Sequence, residues 1–67
     1  MRLGDRVREN STEIGTVVAL IDSGLYAEGF QREHWDHYKT GVLLSSPKFG
    51  LTMYQDPEHM AYFEKVG

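Results

Sequence analysis

The chain has 67 residues, 40% of them apolar, with 10 acidic and 7 basic side chains and a formal charge of −3. At this length folding buries only about 60% of the surface the unfolded chain exposes, so a deep catalytic cleft would compete with the core for side chains. The acidic balance excludes a strongly basic surface, and the lack of cysteine excludes disulfides, thiolate metal sites and a thiol nucleophile.

Glycines punctuate a series of short β-type segments. Residues 5–9, Asp5-Arg6-Val7-Arg8-Glu9, set one apolar side chain between charges, the pattern of a half-exposed edge strand, and Asn10-Ser11-Thr12-Glu13 reads as a turn. Residues 14–21 are β-branched or apolar almost throughout, which predicts a central strand covered on both faces and ended by Asp22-Ser23-Gly24. Residues 41–46 form a third expected strand, 47–50 a turn and 51–55 a fourth strand, together a hairpin. Asp56-Pro57-Glu58-His59 turns again, with Pro57 suited to the first position of one helical turn, and 61–66 closes as a fifth strand.

The stretch 22–40 is too long for an ordinary connection and too aromatic for a linker. Gln31, His34, Trp35 and Tyr38 fall at helical spacing, which predicts about two helical turns over 31–38. One role for Trp35 and Phe30 is to plug an open end of the fold; the other is to present Trp35 or Tyr38 to a ligand.

Five short strands leave few packing solutions, because a flat sheet would expose one face and both edges; curling into a barrel covers them. Gly4-Asp5-Arg6-Val7-Arg8 followed by Gly15-Thr16-Val17-Val18-Ala19-Leu20-Ile21 resembles the two opening strands of SH3-like barrels, including the KOW type. The resemblance implies an all-β, five-stranded, SH3-like open barrel over residues 1–67 as a single domain. It also implies roles such barrels fill as accessory subunits or appended domains. RNA-binding KOW modules carry lysines and a further glycine in the loop between those strands, whereas this loop is Glu9-Asn10-Ser11-Thr12-Glu13.

Few constellations carry chemistry. His34 and His37 lie three apart on one expected helical turn and are the candidate metal ligands, with Glu33, Asp36 or His59 to complete a site, but no second ligand pair stands at a diagnostic distance. The carboxylates are dispersed, the serines fall in turns or at strand ends, and no phosphate-binding glycine motif occurs. These features predict a non-enzyme without a cofactor or resident metal. Protonation of the three histidines would move the formal charge from −3 to −3 + 3 = 0, so mildly acid pH is expected to alter solubility or binding.

The composition fits binding to another protein best, through the 25–38 loop, with Tyr26, Phe30, Trp35, Tyr38 and Tyr54 as candidate contacts and Met53 or Met60 beside them. A single-stranded nucleic-acid binder using Arg6, Arg8 and exposed aromatics is the first alternative, disfavoured by the net negative charge. A small metal- or ligand-binding domain is the second. The longest apolar run is five residues, 17–21, so no membrane association is expected; the reading is a cytoplasmic monomer or homodimer.

Overall fold

The computed structural model describes residues 1–66, among which the protein is mostly β. The strands are β1 (Arg6–Glu9), β2 (Thr12–Leu20), β3 (Leu25–Tyr26), β4 (Val42–Ser46), β5 (Gly50–Tyr54) and β6 (Glu64–Val66). Two four-residue helices, α1 (Arg32–Trp35) and α2 (Pro57–Met60), lie outside the sheet. All pairings are antiparallel, in the order β5-β4-β2-β1-β6, with β3 attached to β2 off this path. The sheet is not closed, since no pairing joins β5 to β6.

Local chemistry explains the boundaries. Asn10 and Ser11 both take positive φ, 50° and 67°, giving a two-residue turn between the paired Glu9 and Thr12 whose twist matches that of the strands. The register slips between Val7 and Arg8, where Ile14 is the extra residue, and again between Val17 and Ala19. Such bulges bend the strand, and the bend wraps the sheet around its apolar face. Pro57 opens α2, and Asp56 caps it by accepting a hydrogen bond from the Glu58 amide at 3.0 Å.

The core is built on Val7, Val17, Val42 and Leu44, against which Leu3, Ile14, Leu20, Tyr54, Met60 and Phe63 pack. Tyr54, at the end of β5, and Phe63, just before β6, meet edge to face with centroids 5.0 Å apart. β4 is buried on both faces: Val42 and Leu44 point into this core, and Leu43, which points the other way, is 1% exposed.

Five expectations change, the first being that the turn expected over Asn10–Glu13 shrinks to Asn10 and Ser11, with Thr12 and Glu13 already paired in β2. There are six strands rather than five, because β3 forms inside the stretch read as a connection. Ile21 leaves the central strand to start a 3-10 turn, Ile21–Ser23, capped by Gly24 in the left-handed conformation. The final strand begins at Glu64, since residues 61–63 turn out of α2 with the Phe63 amide bonded to the Met60 carbonyl. The helical turns expected over 31–38 split into α1 and a 3-10 turn, Asp36–Tyr38.

Close packing of β2 on β4 depends on Gly15. A Cβ there would stand 3.0 Å from the Ser45 carbonyl oxygen and 3.1 Å from the Leu44 Cβ, at a φ of +154°. Neither neighbour is a flexible side-chain end, so Gly15→Ala is expected to cost about 1–3 kcal/mol. A urea midpoint lowered with unchanged slope is the expected result; an unchanged midpoint would contradict the close approach.

The N-terminal turn is set by Asp5, whose Oδ2 accepts from the Arg2 amide at 2.8 Å while Oδ1 lies 3.6 Å from Lys65 Nζ. The Arg2 hydrogen bond first, and then the Lys65 charge, hold the Asp5 carboxyl below its ordinary 3.8, against the opposing effect of partial burial. A carboxyl depressed in the folded state stabilises above its unfolded pKa and loses that contribution as pH falls through its folded value. Asp5→Asn is therefore expected to flatten the acid limb of a stability profile below about pH 4. Melts of both proteins that lose stability in parallel as the pH is lowered would refute this.

Candidate functional site

The segment between β2 and β4 is a fastened structure. At its base the Ile21 amide donates to the Gly41 carbonyl at 2.9 Å, and the Gly41 amide donates to Asp22 Oδ1 at 2.7 Å. Further out the Ala27 amide donates to the Val18 carbonyl at 2.8 Å and extends the β3 pairing. On the far side Gln55, just past β5, donates from Nε2 to the Thr40 carbonyl at 3.2 Å and the Tyr38 carbonyl at 3.5 Å.

Between those two carbonyls lies Lys39 at φ 70° and ψ −42°, with the Thr40 amide bonded to the Tyr38 carbonyl at 2.8 Å. A three-residue turn at positive φ is rare and strained for a side-chain-bearing residue. Gln55 thus braces the most strained turn of the segment.

The braced backbone carries one member of an aromatic group, Tyr38. Trp35, at the end of α1, and Tyr38 stack with centroids 6.2 Å apart and 23° between their planes, and the His37 ring lies 4.2 Å from that of Tyr38. Tyr38 is 41% exposed, and Leu25 on β3 is also exposed. Phe30 and Trp35 are half-buried. Tyr26 is half-buried too, and its hydroxyl is enclosed without a hydrogen-bond partner.

The structure separates Tyr54 from the other candidates. It packs on the core cluster and meets Phe63 and His59 edge to face, so it belongs to the α2 side of the sheet. Met60 packs there as well, whereas Met53 is half-buried on β5. His34 and His37 are both exposed, and among the described residues no three His, Asp or Glu side chains converge to hold an ion. Arg6 and Arg8 each face a carboxylate, Glu13 at 3.7 Å and Glu64 at 3.5 Å.

Sequence reasoning missed two features. The anchors Asp22 and Gln55 act on backbone atoms 15 to 19 positions away, for which no local motif exists. His59 Nε2 lies 2.6 Å from Glu9 Oε2 and ties α2 to the end of β1, beside an open depression lined by Asp56, Glu58, His59, Ala61 and Tyr62. A smaller hollow is lined by Met1, Asp5, Val7, Phe63 and Lys65; neither draws on the aromatic loop. No described helix is long and apolar enough to cross a membrane. Comparison with protein-family models, with curated proteins and with solved structures yields no match.

If Lys39 holds strain and Gln55 braces it, the two positions respond oppositely. Lys39→Gly is expected to stabilise by about 1 kcal/mol, because glycine accepts positive φ without cost. Gln55→Ala is expected to cost about 0.5–1.5 kcal/mol and to speed amide exchange at residues 39 and 40. Denaturant titration with hydrogen exchange checks both; a destabilising Lys39→Gly would show the turn to be unstrained.

Proposed function

We propose that this protein is a non-enzymatic interaction module that binds another protein through the loop between β2 and β4. The observation that carries this reading is the Trp35–Tyr38 stack, held in one geometry by the Gln55 brace with Tyr38 left partly open to solvent. Rigid aromatic side chains supply contact area at small entropic cost, and interfaces concentrate Tyr, Trp and Arg near their centres. Leu25, Tyr38 and the exposed part of Trp35 would form the contact surface, with the half-buried Tyr26 and Phe30 in the same segment. The pairing of Arg6 with Glu13 and of Arg8 with Glu64 weighs against a polyanion as partner, since each cation already faces an opposite charge.

The scaffold is an SH3-like open barrel to which β3 has been added as an extra edge. Support comes from the return of β6 to pair with β1 and from the Tyr54–Phe63 contact, which draws the two ends of the strand path toward each other. Such a frame presents a long loop without supplying a catalytic residue.

The test is affinity capture from the native source with the wild type, Tyr38→Ala, Trp35→Ala and, as a control on the α2 side, Tyr62→Ala. Tyr62 is 72% exposed and stands outside the loop. Loss of a stoichiometric protein partner by the two loop variants, with retention by the control and all amide spectra folded, is the expected outcome. Retention by the folded loop variants, or capture of nucleic acid that salt releases, would overturn the reading.

A further inference from the structure

Among the described residues three of the strands have a free edge, and they differ in how they are protected. β3 is two residues long, and β6 alternates Glu64 and Lys65. β5 is five residues, Gly50-Leu51-Thr52-Met53-Tyr54, with no charge, no proline and no bulge, and among the described residues its backbone pairs only with β4. Charged side chains, proline, bulges and short length are the usual devices that keep a sheet edge from pairing further, and β5 has none of them.

The sequence around this edge is self-complementary. In an antiparallel pairing of β5 with a second β5 about a two-fold axis at Thr52, partners are the residues whose numbers sum to 104. Leu51 then faces Met53 of the other copy, Gly50 faces Tyr54, and Lys48 lies toward Asp56. Each relation occurs twice by symmetry. Leu51 is 47% exposed in the isolated chain and shares a sheet face with Met53, so the two copies would bring four apolar side chains together. Lys48 and Asp56 are both exposed, and among the described residues neither forms an ion pair within the chain. Moving the axis by one residue changes this match: about Leu51 it sets Lys48 against Tyr54, and about Met53 it sets Leu51 against Gln55, with Lys48 toward Glu58 on α2.

We infer that the β5 edge is an isologous dimer site, at which a second copy of this chain adds its own β5 antiparallel about Thr52 and extends the sheet across both molecules. The surface is distinct from the aromatic loop, and a dimer of this kind presents two such loops.

Sedimentation equilibrium on the whole chain, from about 1 µM to about 1 mM, tests the inference against dissociation constants in the range expected of a small interface. A monomer–dimer equilibrium is expected. Lys48→Glu sets two Glu–Asp repulsions and is expected to raise the dissociation constant about tenfold, as is Asp56→Lys. The double variant Lys48→Glu/Asp56→Lys restores both opposite-charge pairs and is expected to recover most of that loss. Because Asp56 also caps α2, Leu51→Lys provides a variant at an exposed position that leaves the cap intact and weakens the dimer by burying a charge against Met53. Amides of β5 that point away from β4 are expected to gain exchange protection as concentration rises. A chain monomeric throughout, a dimer indifferent to all four variants, or protection appearing on β3 or β6 instead would overturn the inference.

Discussion

The double-sided burial of β4 is the constraint on which the other features depend. Val42, Leu43 and Leu44 are three of the seven buried apolar side chains among the described residues, and they point to alternating faces of one strand. A small antiparallel sheet ordinarily leaves one face to water, so both faces of β4 can be dry only if two different covers exist. On the Val42 and Leu44 side the cover is the curl of the sheet itself, completed by Met60 and Phe63 from the α2 region. On the Leu43 side the sheet offers Ala19 and Met53 as neighbours, and neither is large enough to exclude water alone. The half-buried side chains of Tyr26, Phe30 and Trp35 lie in the segment whose anchors, Gly41 and Gln55, stand side by side at the start of that strand.

That division explains why the long segment is structured over much of its length. A loop that served only as a connection would need no strand pairing, no side-chain brace and no aromatic stack. This one makes a strand with β2, donates from the Ala27 amide to the Val18 carbonyl and accepts hydrogen bonds from Gln55. Its aromatics are therefore divided between cover and surface, with Tyr26, Phe30 and Trp35 turned partly inward and Tyr38 more open. In a domain of this size the same few side chains serve both purposes, because too little apolar area exists to assign separate sets.

The strands were legible because their signals are local: β-branched residues at 14–21, a turn signal within Asn10-Ser11-Thr12-Glu13 whose last two residues proved to be strand, and the hairpin after Ser46 each depend on neighbouring residues. β3 was not legible, since two residues make no period and its pairing with β2 is selected by the 3-10 turn before it. The division of the aromatics also escaped the sequence. Tyr54 and Tyr62 are alike in composition, yet Tyr54 packs on the core while Tyr62 is exposed, because the first points to the concave face of β5 and the second sits in the turn after α2. The direction of a side chain on a curled sheet depends on bulge positions, and both bulges here arise from pairing between strands.

On the proposed reading, the strained turn at Lys39 bears on function as well as on fold. A side-chain-bearing residue in a sparsely populated backbone region costs of order 1–3 kcal/mol, a large share of the stability available to a chain this short. The partial burial of Tyr26, Phe30 and Trp35 does not require that cost, since a loop in any of several relaxed conformations would shield them from water as well. What the turn does fix is the position of Tyr38 relative to Trp35 and to the Gly41 entry into β4, through carbonyls that Gln55 also holds. On the proposed reading, a surface ordered before it meets a partner loses less conformational entropy on binding, and that saving would offset the strain carried in the free protein. On the proposed reading, the brace and the strained residue belong to the presentation of the aromatic stack.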